Sequence, residues 1–301
     1  MEPILDWGMS VVRSFQSVQS PALTALMEAI SFLGSEIAFL ALLPLVFWCV
    51  DERRGFRLGF MMMLSAWING SLKDLWRQPR PYDIDPAVAL LRDPTEFGLP
   101  SGHSQSSVTF WGIVGSYLSA PAGIIVALAL PLAVGVSRVY LGAHFPTDVF
   151  AGWALGAALV VPYLLFGEKL ASALAAADLR VRILAAAGAA FAMNALHPQD
   201  VSLGGVVFGM GVGYALMVER FPFAAAKDAD GGRPSYPRLA LRYLVGMAGT
   251  AAIYFGLKLA LPGEGTEWYA LGRFARYALL GAWVSAGAPW IFLKLKLAGG
   301  R

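Results

Sequence analysis

Apolar runs of membrane-crossing length recur along the whole chain, separated by short polar segments. A spanning helix needs about 20 mostly apolar residues. Candidates fall at residues 35–50, 55–77, 101–119, 122–142, 147–166, 181–196, 201–217, 239–261 and 268–293. This pattern predicts an all-α, polytopic bundle of about nine transmembrane helices. Residues 21–33 read either as an interfacial helix or as an extension of the first span, and a separate span there makes ten. Residues 1–19 are mixed and amphipathic and do not read as a cleavable signal. Gly205, Gly209 and Gly213 recur every fourth residue and place small residues on one helix face, as in tight helix packing. The polar stretch 224–237 reads as a flexible loop.

Composition agrees with this pattern. In 301 residues, 57% are hydrophobic and only 14% charged, with a mean hydropathy of +0.60. A soluble globular domain has a different balance. The net charge of +3 does not indicate nucleic acid, because the basic residues form no exposed stripe and fall between the apolar runs. Arg53, Arg54, Arg57, Lys169, Arg180, Arg182, Lys227, Arg233, Arg238, Lys294, Lys296 and Arg301 all fall on one side if the spans alternate. By the positive-inside rule that side is the cytoplasm. Cys49, the single cysteine, lies beside Trp48 in an apolar run and reads as a packing residue.

The opposite side carries a different set of charges. Lys73, Arg77, Arg80, Arg92 and Arg138 lie there, within or near three polar clusters at helix ends. The first runs from Lys73 to Arg80-Pro81, the second is Pro100-Ser101-Gly102-His103, and the third is Ser137-Arg138 followed by His144 and Asp148. Alternation brings all three to one membrane face, where ionisable residues imply function. The set suits a dianion. Lys73, Arg80 and Arg138 are candidates to clamp phosphate oxygens. Ser101 and Gly102 form a helix-start cradle with free N–H groups. His144 and Asp148, four apart, fall on one helix face, so Asp148 is positioned to orient His144 as nucleophile. His103 is left to protonate the departing alkoxide. Arg77 and Arg92 read as interfacial anchors. Glu36, near the outer end of the first span, reads as one member of a structural ion pair or as a headgroup-recognition residue.

These residues resemble the type 2 phosphatidic acid phosphatase superfamily, whose tripartite signature is K-x-x-x-x-x-x-R-P, P-S-G-H and S-R-x-x-x-x-x-H-x-x-x-D. Every signature position is present, at Lys73, Arg80, Pro81, Pro100, Ser101, Gly102, His103, Ser137, Arg138, His144 and Asp148. The flanking Gly34-Ser35-Glu36 and Leu72-Lys73-Asp74 are similar to the sphingosine-phosphate and glucose-6-phosphate phosphatase branch. The resemblance covers about the first 170 residues. It implies a catalytic transmembrane core over residues 1–170, a covalent phosphohistidine on His144, His103 as acid, and chemistry without a metal or other cofactor. Residues 171–301 are then additional membrane helices of unassigned role.

The expected function is hydrolysis of the terminal phosphate of a lipid phosphate, such as phosphatidic acid, a sphingoid phosphate or a polyprenyl diphosphate. Partners are the substrate and the bilayer. The expected location is the plasma (inner) membrane, with the site facing away from the cytoplasm, so that a cysteine placed in the Asp83–Asp93 loop is labelled from outside. Three alternatives stand beside it. Vanadate-dependent haloperoxidases share the signature but are soluble. Phosphate transfer from a polyprenyl diphosphate to another lipid uses the same phosphohistidine. A lipid transporter that merely keeps the fold has no need of a nucleophile with an orienting carboxylate.

Overall fold

The computed structural model describes residues 2–92 and 97–300; Asp93 and Arg301, named above, lie outside them. Thirteen α-helices follow one another among the described residues: α1 Glu2–Gln16, α2 Pro21–Phe32, α3 Glu36–Cys49, α4 Glu52–Trp76, α5 Pro81–Ile84, α6 Gly102–Ser116, α7 Ala120–Tyr140, α8 Pro146–Ala176, α9 Leu179–Leu196, α10 Ser202–Arg220, α11 Tyr236–Ala260, α12 Tyr269–Ala282 and α13 Ala288–Lys294. Each of the nine predicted runs coincides with helix. Five helices, α7 to α11, are long and apolar enough to cross a membrane by themselves, and a sixth span results if α2 and α3, bent by 45°, are taken together. The other predicted spans fall short singly for identifiable reasons. α6 has 15 residues and α12 has 14, while α4 has 25 residues but carries charge at both ends.

The chain forms two compact units, one made of the chain up to Leu40 with Leu64–Glu168, the other of Ala41–Met63 with Lys169–Arg301. α3 and α4 therefore contribute to both.

In the first unit, caps and prolines set the helix starts. Pro21, Pro121 and Pro146 occupy first turns, where a missing N–H costs nothing. Ser20 caps α2, its Oγ accepting from the Leu23 N–H at 3.3 Å. Small residues let helices approach closely, which is how membrane helices associate without a hydrophobic driving force. A Cβ added at Gly152 of α8 would lie 2.6 Å from the Ser101 carbonyl, and one at Gly156 2.8 Å from the Gln105 carbonyl. α8 is thus pressed against the start of α6. At Gly142, φ is +68° and the added Cβ would lie 1.9 Å from the Val88 carbonyl, so the turn between α7 and α8 needs glycine for both conformation and space. α1 packs Met9 and Val12 against Val88, Val139, Phe145 and Val149, while Gln16 donates to the carbonyls of Val88 and Tyr140, both at 2.9 Å.

The second unit is built around Phe47, Trp48, Met217, Phe223, Ala288 and Phe292. The three glycines at fourfold spacing on α10 do face a neighbour: Gly205 and Gly209 lie against backbone carbonyls of α12, and Gly213 against Ser285. α12 continues through a π turn, Trp283–Gly287, into α13. Pro289, which has no N–H, stands just after that turn. The 224–237 stretch is held, contrary to the flexible loop expected. Phe223–Ala224 pairs antiparallel with Gly299–Gly300, and Asp228 accepts from the N–H groups of Asp230 and Gly232. Distant pairing of this kind leaves no local mark in the sequence. Cys49 is half-buried with Sγ 3.5 Å from the Leu239 carbonyl, a packing position.

Candidate active site

The third polar cluster folds into one tight turn. α7 ends at Tyr140, and the N–H groups of Ala143 and His144 both return to the Arg138 carbonyl, at 3.1 and 3.3 Å. Pro146 then starts α8, which puts Asp148 in its first turn. Asp148 Oδ2 accepts from the Phe145 N–H at 3.0 Å and lies 3.2 Å from His144 Nδ1. One carboxylate oxygen thus caps the helix and holds the imidazole. With Nδ1–H donating to it, Nε2 keeps its lone pair. The other oxygen, Oδ1, accepts from Gln78 Nε2 at 2.8 Å.

The first two clusters close on this turn. Lys73 is buried in the last turn of α4, and Arg77, at φ +49°, ends that helix with its Nε donating to the Asp74 carbonyl at 2.9 Å. Arg80 is buried, with its backbone N–H donating to Asp83 at 2.8 Å and a guanidinium nitrogen 3.4 Å from the Ala143 carbonyl. Gly98 donates to the Gln78 carbonyl, and a Cβ there would lie 3.1 Å from Asp148 Oδ2. The Ser101 N–H donates to the Asp148 carbonyl at 2.9 Å, tying the second cluster to the third. Ser101 also caps α6, its Oγ accepting from the Ser104 N–H at 3.4 Å, and Gly102 and His103 occupy the first helical positions. Arg138 is buried and donates to Ser31 Oγ of α2 at 3.0 Å.

All the predicted phosphate-binding and catalytic residues therefore gather around His144. The buried charged side chains of this unit, among the described residues, are Lys73, Arg80, Arg138 and Asp148, all in this one place. His144 is pushed well below the usual imidazole range, first by burial and then by the positive charges of Arg80, Arg138, Lys73 and His103. A neutral imidazole with a free Nε2, facing cations, is equipped to attack an anionic electrophile. Among the described residues no three His, Cys, Asp or Glu side chains gather as a metal-ligand set.

Glu36 is not buried as these residues are. It is exposed in the first turn of α3, whose start is capped by Ser35, while Gly34 lies against the His103 carbonyl. Arg77 and Arg92 are exposed. Three participants escaped sequence reasoning. Gln78, inside the first cluster, carried the signal of being polar between Lys73 and Arg80. Ser31 carried none. Asn69, which donates to the Pro100 carbonyl at 3.3 Å and to Gln105 at 2.8 Å, stands out only as an amide in an apolar run.

The helical core of the first unit buries a histidine, its carboxylate and three cations at the ends of its helices. The chain belongs to the PAP2 superfamily: the PAP2 superfamily model matches residues 54–172, and a second, for a PAP2 superfamily phosphatase transmembrane extension, matches 201–300. It is 31% identical over 158 residues to an undecaprenyl-diphosphatase of Sulfolobus acidocaldarius, covering 52% of this chain and 76% of that one. To phosphatidylglycerophosphatase B of Bacillus subtilis it is 30% identical, covering 51% and 79%. Lipid phosphate phosphatase delta of Arabidopsis thaliana is 26% identical, with 54% of this chain aligned to only 43% of that protein. The chain is an integral membrane protein of this superfamily, and its second unit contains the transmembrane extension.

Proposed function

We propose that the protein hydrolyses the terminal phosphate of a membrane lipid phosphate through a phosphohistidine on His144. The observation that carries this reading is the His144–Asp148 pair, at 3.2 Å, enclosed by the buried Lys73, Arg80 and Arg138. Nε2 of His144 attacks phosphorus, the bond to the lipid oxygen breaks, and His103 gives that oxygen its proton. His103 then takes a proton from water, whose oxygen attacks phosphorus. The P–N bond breaks, and inorganic phosphate leaves. The three cations and the N–H groups at the start of α6 stabilise the charge on the transferring phosphoryl group, the function a metal performs in other phosphoryl-transfer enzymes. Glu36 is the candidate for recognising the headgroup.

In this reading residues 1–170 hold the catalytic core and 171–301 add further helices. The chain passes the membrane nine times, with α3, α4, α6 and the α12–α13 pair as the shorter or more charged spans, and the site opens away from the cytoplasm of the plasma membrane. The relatives named as phosphatases of isoprenoid and glycerolipid phosphates support a lipid substrate. A phosphate-release panel on purified protein, over phosphatidic acid, phosphatidylglycerol phosphate, sphingoid phosphates and undecaprenyl diphosphate, tests it. Release from at least one lipid, surviving EDTA and blocked by vanadate, is expected. No release from any of them, or loss in EDTA restored by Mg²⁺, overturns it.

A further inference from the structure

The second unit carries a cationic cluster of its own. Two arginines lie three residues apart on α12, and the structure treats them differently. Arg273 is fully engaged: Nε donates to Ser202 Oγ at 2.6 Å, one terminal nitrogen to the Tyr269 hydroxyl at 3.1 Å, and the other lies 3.3 Å from Asp200. Arg276 has none of this among the described residues. Its guanidinium lies over the rings of Tyr254 and Tyr277, 5.6 and 5.2 Å from their centroids, and its Nε is buried with no hydrogen-bond partner. An aromatic face attracts the charge but leaves the planar fork of N–H donors without acceptors. Such an arrangement is complementary to an anion that arrives with its own oxygens.

The surroundings identify the anion. Tyr254 lies on α11, a helix apolar enough to span, whose Leu244, Phe255 and Leu259 are exposed as lipid-facing residues are. Lys258 follows Tyr254 by four positions and so lies on the same face of α11, one turn nearer that helix's end; it is exposed, with no ion-pair partner among the described residues. Arg276 lies seven residues into α12, about 10 Å along its axis. Long basic side chains within about two turns of a helix end can reach a lipid headgroup, and tyrosines gather at that level in interfacial aromatic belts. We propose that Arg276 and Lys258, framed by Tyr254 and Tyr277, bind the phosphodiester of an anionic phospholipid, a site separate from the one that would turn over substrate.

Phosphatidylglycerol suits the test because it is a diester without a terminal phosphate, so binding is read without turnover. The protein is placed in phosphatidylcholine nanodiscs carrying spin-labelled phosphatidylglycerol or spin-labelled phosphatidylcholine, and the motionally restricted fraction is measured for each. The wild type is expected to prefer phosphatidylglycerol by about fivefold per contributing cation. Arg276→Gln and Lys258→Gln should each reduce that preference by about fivefold, and Arg276→Lys should keep part of the contribution that Arg276→Gln removes. Turnover of p-nitrophenyl phosphate should be unchanged in all three, which separates this site from the reading of His144. If Arg276→Gln does not fold, the exposed Lys258→Gln decides. A wild type without preference, or variants that keep it in full, overturns the proposal. So does loss of a dimer on Arg276→Gln with lipid preference intact, since the acceptor is then a carboxylate of a second copy.

Discussion

Arg242 in the second unit and Arg138 in the first are both completely buried, and their surroundings are of opposite kinds. Arg242 points its donors at backbone: Nε to the Leu297 carbonyl at 2.8 Å, and the terminal nitrogens to the carbonyls of Ala225 and Lys227, each at 2.6 Å, and of Trp48 at 3.4 Å. Nearby, Glu52 accepts from the Ala225 N–H at 2.8 Å. These contacts join the end of α3, the loop after α10 and Leu297, and the acceptors that Arg242 meets in them are backbone carbonyls. The cations of the first unit instead act on His144, an ionisable side chain held by a carboxylate. Buried charge directed at fixed carbonyls organises a fold, whereas buried charge collected around an oriented imidazole is the equipment of a reaction. Burial alone does not distinguish the two.

The comparison breaks most directly at His144. His144→Ala should abolish turnover of every substrate, a loss of at least about 10⁴-fold, with the melting temperature in detergent little changed. Appreciable residual activity would mean that another group forms the first bond. Next comes His103. His103→Ala should lower single-turnover phosphoryl transfer from a lipid phosphate by about 10²- to 10⁴-fold, and much less from p-nitrophenyl phosphate, because nitrophenolate departs without a proton. Equal losses for both would make His103 a phosphate-positioning residue.

Gln78→Ala removes one hydrogen bond to the Asp148 carboxylate and should cost about 10- to 100-fold in kcat, the range for a charge-assisted hydrogen bond. Wild-type kcat in this variant would show that Asp148 is held sufficiently by Phe145 and His144. Arg242→Met should behave in the reverse sense. It leaves buried carbonyls unpaired, each worth about 1–3 kcal/mol, so the melting temperature falls by many degrees. Below the melt, p-nitrophenyl phosphate turnover should stay within about twofold. A large activity loss at unchanged stability would erase the distinction between the two kinds of buried charge.

The smallest expected effect is on pH dependence. Because burial and neighbouring cations lower the His144 pKa, the nucleophile stays unprotonated as the pH falls through 6.5, the ordinary imidazole value. Activity measured with a substrate of fixed charge should therefore show no inflection from this residue between pH 8 and about 6. Stability follows the matching sign. The unfolded chain takes up the proton first, so this residue's contribution is present above the ordinary imidazole pKa and declines as the pH falls below it. An acid limb assigned to His144 by chemical-shift titration at or above 6.5 would contradict the enclosed site.

Much of this protein was legible in its residues because the information was local. Runs of apolar residues must be helical in lipid, where every backbone group needs an internal partner, so the nine predicted stretches fall on helices. Spacing within one turn is likewise local, and the four-residue interval between His144 and Asp148 is enough to place a carboxylate beside an imidazole at a helix start. The convergence of three clusters followed from alternation of the spans. Other features depend on residues far apart in the chain. Gln78 reaching Asp148, Ser31 receiving Arg138, Gly98 making room beside the carboxylate, and Arg242 gathering carbonyls from three segments are contacts whose partners no window of sequence contains. Periodicity also does not reveal whether a helix is long and apolar enough to cross by itself, since α6 and α12 are set by caps, turns and neighbours as well as by composition. A side chain's type and its interval from the next are written in the sequence, but which distant group it meets is decided only when packing selects one arrangement of helices.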